Sequence, residues 1–376
     1  MRTVLYVTGT RADFGLMLST LRTIAAHPGL SLQICVTGMH LSSRFGMTVD
    51  EVVASGLPIA AQIRLDIDND SGLGMALATG DALNGIARLL AKTRPDVVLV
   101  LGDRTEMLAA ATAAVCLGIP VAHIHGGERS GTIDESVRHA ISKLAHLHLV
   151  TTEASRARLI AMGERAESVL VVGAPGLVGL KALASRDREA LATEQGLDAS
   201  RPIALVLFHP VVQEAIDAGE QMKGLLAAVH RAGYQTLCLL PNADAGNTAI
   251  RDEILRCIAE YPRFRAVAHL QRTDFVSWMA SCDLFVGNSS AGILEAASFG
   301  TPVVNVGDRQ HARERNSNVV DVPADEQQID GAIRAASQLR PDETNIYFQE
   351  GTDLLIAARL AELSIDRALL KKSNTY

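Results

Sequence analysis

The chain has 376 residues, 48% apolar and 20% charged, with a formal net charge of −7. Such a length exceeds what one hydrophobic core usually fills, so two units of about 150 to 200 residues are expected, and the acidic balance argues against a nucleic-acid groove, which needs a strongly positive surface. No apolar run approaches the ~18 residues that cross a bilayer, and Met1-Arg2 leads straight into TVLYV instead of a signal-peptide core, so no membrane partner and a cytoplasmic location are expected.

Short Val/Ile/Leu-rich runs at 3–7, 32–36, 97–101, 120–124, 147–150 and 169–172 alternate with longer amphipathic stretches. They read as strands buried on both faces, separated by helices, which is a parallel, doubly wound α/β pattern. Gly173-Ala-Pro-Gly176 interrupts it and a charged segment, 185–194, follows. The pattern restarts at Pro202, with strands expected at 203–208, 236–240, 265–269, 284–286 and 302–306 and one more amphipathic helix at 352–370. The boundaries expected are therefore 1–178 and 179–350 for two Rossmann-like units, with 351–376 as a C-terminal helix packing back across the first. The five cysteines, Cys35, Cys116, Cys238, Cys257 and Cys282, are scattered without a CxxC pair and read as free thiols.

In sheets of this kind ligands sit beyond the carboxyl ends of the strands, so the residues after each strand carry the weight. The first strand ends in GTRADFG, where Arg11 and helix amides suit a phosphate, although an ordinary turn with a surface arginine looks the same. Asp103 and Arg104 follow the third run, and Asp103 either enters the cleft or caps the next helix. The stretch HIHGGERSGTIDESVRHAISK at 123–143 crowds two histidines, Glu128, Asp134 and Arg138 into a strand end, loop and helix start. With Asp103 and Glu128, His123 and His125 make a candidate metal site, though no HExxH or cysteine cluster accompanies them. His209 ends a strand before Pro210, as an acid, base, phosphate contact or satisfied structural histidine. In GNSSAGILEAASFGTPVVN at 287–305, Ser289 and Ser290 stand at a helix start suited to a diphosphate, and Glu295 suits the two hydroxyls of a ribose; the plainer readings are an N-cap and a solvated glutamate.

Taken together, GTRADFG at 9–15, GDR at 102–104, HIHGGE with SGTIDESVRHAISKLAHLH at 123–148, FHP at 208–210, PNADAG at 241–246, GNSSAGILEAASFGTPVVN and GDRQHAR closely resemble the hydrolysing UDP-N-acetylglucosamine 2-epimerases of sialic- and legionaminic-acid synthesis. The resemblance implies a GT-B architecture, two Rossmann-like domains facing across a cleft, with the nucleotide held mainly by the second. It implies Asp103, Glu128, Asp134, Arg138 and His209 as the catalytic set. For the nucleotide it implies Ser289, Ser290, Glu295, Arg309 and Arg11, with Arg104, Arg313, Asn242 and Phe275 as further candidates. It implies no metal and no cofactor, a nucleotide-sugar substrate, and a homodimer or homotetramer. Substrates of such relatives include UDP-N-acetylglucosamine and UDP- or GDP-linked 2,4-diacetamido-2,4,6-trideoxy sugars. Ala12-Asp13 resembles the hydrolysing branch, whereas His311-Ala312 departs from the Lys-Gly often found there. A retaining GT-B glycosyltransferase and a non-catalytic sugar-nucleotide sensor are the alternatives; the crowded carboxylates argue against both.

Overall fold

Runs such as VVLVL at Val97–Leu101 and IALVL at Ile203–Leu207 are buried at every position, as strands covered by helices on both faces must be. The structure, a computed structural model, describes residues 1–375, and within them thirteen strands form two sheets. The first contains β1 (Arg2–Thr8), β2 (Leu30–Thr37), β3 (Ile59–Ile63), β4 (Val97–Leu101), β5 (Val121–Ile124), β6 (Leu147–Val150) and β7 (Val169–Val171), in the order β3-β2-β1-β4-β5-β6-β7. The second contains β8 (Ile203–Leu207), β9 (Gln235–Leu239), β10 (Phe264–Val267), β11 (Leu284–Gly287), β12 (Val303–Val306) and β13 (Val319–Val322), in the order β10-β9-β8-β11-β12-β13. All recorded pairings are parallel. Strand order reverses between β1 and β4 in one sheet and between β8 and β11 in the other, and at such switch points the loops diverge and leave a crevice. The two crevices open into one cleft between the sheets, which is the GT-B arrangement.

Two strands lie outside the expected set. β3 is an edge strand whose side chains alternate between half-buried and exposed, and β13 is an edge strand interrupted by Asp321, so neither shows the continuous apolar run of an inner strand. The charged segment after residue 185 includes a helix, Arg188–Glu194, capped by Asp187. The single helix expected at 352–370 is divided: Thr352–Glu362 ends before Leu363, and a separate short helix, Arg367–Leu370, is capped by Asp366. Ile356, Ala357 and Leu360 of the longer piece enter the core of the first sheet against the helix Arg11–Ala26. Thr352 Oγ1 ties its start to the Val172 carbonyl at 2.6 Å.

Beyond it the chain reaches Glu164, a buried carboxylate. Lys372 Nζ, Lys143 Nζ and His148 Nε2 stand 2.7, 2.7 and 2.9 Å from its oxygens. Lys372 Nζ also donates to the carbonyls of Ser142, Lys143 and Ala145 at the end of the helix Ile133–Leu144, where a cation complements the helix dipole. Among the described residues no helix is long and apolar enough to cross a membrane.

Candidate active site

The cleft has a volume of about 270 Å³ and is lined from both sheets. After β1, Thr10 and Asp13 form a capping box that starts the helix Arg11–Ala26 and sets Arg11 at the cleft. Asp13 accepts from the amides of Gly9 and Thr10 and from the Thr10 and Thr8 hydroxyls, while burial pushes its carboxyl up to about 6. After β4, Gly102 turns the chain at φ +79°. Arg104, not Asp103, occupies the N-cap position of the helix Thr105–Cys116. Asp103 is thus free to pair with Arg138, which reaches it from the helix Ile133–Leu144. Burial alone would raise the Asp103 carboxyl, but Arg138, Arg313 and Arg309 outweigh it and hold it at about 2.

The stretch after β5 is organised from beneath. His123, fully buried, places Nε2 2.7 Å from the Gly102 carbonyl and Nδ1 3.1 Å from Ser142 Oγ, linking the Asp103 turn to the helix that holds Arg138. Both ring nitrogens are used in this way, and among the described residues no group of three or more His, Cys, Asp or Glu is arranged to hold a metal ion. His125 leaves the strand at φ +64° and turns Nδ1 to Glu128 Oε1 at 3.0 Å. Glu128 is buried, accepting also from Thr151 Oγ1 at 2.9 Å and pairing with Arg313. Thr132 caps the following helix, and Asp134 in its first turn faces the cleft. Burial, Asp103 and Asp244 push the Asp134 carboxyl up to about 6 against the opposing pull of Arg309 and Arg138.

From the second sheet, His209 follows β8 with its backbone clamped on both sides by the Asn288 side chain, at 2.7 and 2.8 Å. Its Nδ1 accepts from the Asn242 amide at 3.2 Å. Burial and the nearby Arg309, Arg104 and Arg11 depress its pKa well below the usual imidazole range, so the ring is neutral and carries its proton on Nε2. β11 ends at Gly287, φ +141°, where a Cβ would stand 2.0 Å from the Leu207 carbonyl oxygen; only glycine lets the chain pass there. Ser289 caps the five-residue helix Ser290–Leu294 by accepting from the Ala291 amide, and both serines line the cleft. Glu295 is buried and paired with Arg272, so it is not a solvated helix residue.

Several ion pairs cross from one sheet's elements to the other's. Arg309 Nη2 lies 3.1 Å from Asp134 Oδ2, Arg313 pairs with Glu128, and Arg104 Nη2 lies 3.6 Å from Asp244 Oδ1. At the cleft mouth Asp70 accepts from the amides of Gly246 and Thr248, at 2.8 and 2.9 Å, and from Asn247 Nδ2 at 3.0 Å. A carboxylate of the first half thereby caps the helix Asn247–Glu260 of the second. Seven arginines and five carboxylates line the cleft of a chain whose net charge is −7, so the local balance is reversed and favours an anion.

Of the residues picked from sequence, Asp103, Asp134, Arg138, His209, Arg11, Arg104, Asn242, Phe275, Ser289, Ser290, Glu295, Arg309 and Arg313 all line the cleft. Glu128 lies behind its wall, reached through His125 and Arg313. Sequence reasoning passed over Arg272 and Asp244. Arg272 opens the helix Arg272–Ser281 just after the C-terminal end of β10, and that position was the available signal.

A family model described as UDP-N-acetylglucosamine 2-epimerase matches residues 22–360. Over 377 residues, spanning all of both chains, the sequence is 44% identical to UDP-N,N'-diacetylbacillosamine 2-epimerase (hydrolyzing) of Legionella pneumophila. It is 33% identical over 363 residues to the UDP-N-acetylglucosamine 2-epimerase of Neisseria meningitidis, covering 96% of this chain and 95% of that one. The fold is similar to the crystal structure of UDP-GlcNAc 2-epimerase from Neisseria meningitidis bound to UDP-GlcNAc, with a TM-score of 0.82 at 20% identity over 96% of this chain and 100% of that chain. With the match running through both sheets and the cleft between them, the chain belongs to the UDP-N-acetylglucosamine 2-epimerase family.

Proposed function

We propose that the protein is a hydrolysing 2-epimerase of a UDP-linked 2-acetamido sugar, with residues 1–178 supplying the acid–base groups and 179–350 most nucleotide contacts. The observation that carries this reading is the pair Asp103 and Asp134, two carboxylates on one cleft wall held at about 2 and about 6 by their surroundings. Environments that separate two such groups fit them for opposite proton transfers. Ionised Asp103 takes the proton from sugar carbon 2 while the bond from carbon 1 to the diphosphate oxygen breaks. Its electron pair leaves with UDP, and carbons 1 and 2 become doubly bonded. Arg309, Arg104 and Arg11, together with the neutral His209 Nε2–H, surround the departing charge. A proton from Asp134 then enters the opposite face of carbon 2 while water adds its hydroxyl to carbon 1 and passes its remaining proton to the Asp134 carboxylate, giving the free 2-epimer plus UDP; Asp103 returns its proton to solvent. Ser289 and Ser290 meet the diphosphate, and Glu295, oriented by Arg272, meets the ribose, with Asn242 and Phe275 beside the base. Arg138 holds Asp103 ionised, and Arg313 holds Glu128.

Two sugars fit this chemistry, UDP-N-acetylglucosamine giving N-acetylmannosamine and its 2,4-diacetamido-2,4,6-trideoxy counterpart. The full-length 44% identity to an enzyme named for the latter favours the second, as does a cleft lining that includes Met39, Phe45 and Met75, which suits a methyl at carbon 6 better than a hydroxymethyl. On this reading the product feeds sialic- or legionaminic-acid synthesis in the cytoplasm, and the enzyme is a homodimer or homotetramer. Proton NMR of each UDP-sugar incubated with the protein in deuterated water tests the proposal. Free UDP with deuterium at carbon 2 of the released epimer is expected; intact substrate without exchange for both sugars would sink it.

A further inference from the structure

On the acid–base wall of the cleft, His125 joins the buried Glu128 side chain to the cleft. Its ring borders the cleft, its Nδ1 lies 3.0 Å from Glu128 Oε1, and its Nε2 is buried without a hydrogen-bond partner among the described residues. The Glu128 carboxylate, which also takes Thr151 and Arg313, requires a proton on the nitrogen that faces it. That leaves Nε2 as an acceptor with nothing to accept. A buried polar atom in this state destabilises the free enzyme unless a partner arrives. The backbone tells the same story, since His125 holds a left-handed conformation at φ +64°, unfavourable for a residue with a Cβ, and such strain collects where a side chain must be aimed. Asp103 and Glu295 both favour the charged form of the ring. The cleft that His125 borders is lined by Asp103 and Asp134 from the first sheet and by Ser289, Ser290 and Glu295 from the second, so a sugar nucleotide filling it would bring its sugar within reach of the ring.

We infer that His125 is a substrate-contacting residue, whose Nε2 accepts a hydrogen bond from a donor on the sugar ring, and that Glu128 acts through it by fixing the tautomer. This rests on the function proposed above. Burial and the neighbouring Arg313 and Arg138 push the imidazole down to about 3, which keeps the ring neutral and its acceptor available. The sugar donors of suitable chemistry are the N–H of the 2-acetamido group and the hydroxyl at carbon 3.

The test uses the full chain and four proteins: wild type, His125→Leu, His125→Gln, which restores an acceptor at similar reach, and the double variant His125→Leu/Glu128→Gln. UDP has no sugar, so its affinity measured by calorimetry should stay within about twofold of wild type in the His125 variants, which also reports that they fold. With the UDP-sugar, kcat/KM should fall roughly 10- to 100-fold in His125→Leu and recover in part in His125→Gln. The double variant should be no worse than the more damaged single variant, because an amide at 128 would already reverse the tautomer. A UDP-linked 3-deoxy sugar separates the donors. If its penalty in wild type vanishes in His125→Leu, the partner is the carbon-3 hydroxyl; if the penalty persists while His125→Leu still lowers kcat/KM, it is the acetamide N–H. Turnover by His125→Leu within twofold of wild type overturns the inference while leaving the epimerase reading intact. A wild-type chain that neither binds nor turns over either UDP-sugar overturns both.

Discussion

Nucleotide binding should change the charge of Asp134. Arg309 stands 3.1 Å from this carboxylate, opposing the upward push of burial, Asp103 and Asp244, and the result is about 6. Arg309 is also among the cations around His209, where the diphosphate of the proposed substrate would draw it away. An opposite charge at this range typically favours the ionised form of a carboxylate by about 1.4 to 4 kcal/mol. Losing even the lower figure brings Asp134 to about neutrality. At pH 7 the group is roughly one tenth protonated before binding, so its transfer to the half or fully protonated state takes up roughly 0.4 to 0.9 protons per site. Calorimetry of UDP binding in two buffers of different ionisation enthalpy measures that number. Because the terminal phosphate of UDP titrates near pH 6 itself, Asp134→Asn provides the baseline. Wild type should take up at least about 0.4 of a proton more than Asp134→Asn does. By linkage its UDP affinity should weaken, relative to Asp134→Asn, as pH rises above about 6. Equal proton stoichiometry in the two proteins would refute the reasoning, as would net release in the difference.

Other consequences are open to simpler measurements. Glu164 is held at about 2 by His148, Lys143 and Lys372 in spite of burial, and its ordinary value is 4.5. Its folded-state pKa is depressed, so its contribution is complete above about 4.5 and lost as pH falls toward 2; Glu164→Gln should lower stability at pH 7 by roughly 3 kcal/mol in urea melts, with the difference shrinking below pH 4.5. Gly287→Ala forces a Cβ against the Leu207 carbonyl and should destabilise the protein by at least about 2 kcal/mol or prevent folding, read by thermal melting. His209→Asn can keep an acceptor for the Asn242 amide but removes the Nε2–H from the proposed leaving phosphate; kcat should drop about 10²-fold or more while the melting temperature changes little. Glu128→Gln should fold, bind UDP and lose turnover, checked by coupled UDP release; wild-type activity would remove Glu128 from the reaction.

The inner strands and the loops after them were legible because parallel strands buried on both faces write continuous apolar runs, and the chemistry then falls at their carboxyl ends. β3, alternating between half-buried and exposed, and β13, interrupted by Asp321, write no such run and escaped notice, whereas the other two edge strands, β7 and β10, were read. Position made Asp103 either a cleft residue or a helix cap, and the choice depended on which residue took the N-cap, which proved to be Arg104. Glu128 could not be placed from its position: nothing in HIHGGE indicates that His125 would leave the strand with a positive φ and turn the glutamate behind it toward Arg313. That partner lies 185 positions away along the chain, and pairings between separate units are fixed by how two sheets dock, not by any local pattern. Arg309 with Asp134 is long-range in the same sense.

The cap that Asp70 provides to the helix Asn247–Glu260 makes an element of secondary structure depend on the distance between two rigid bodies. Any separation of the two sheets would take from Gly246 and Thr248 the carboxylate that accepts from their amides, and the first turn of the helix would fray into water. Hydrogen–deuterium exchange at residues 246–250 would then act as a clock for opening, faster in the empty enzyme than in the UDP complex.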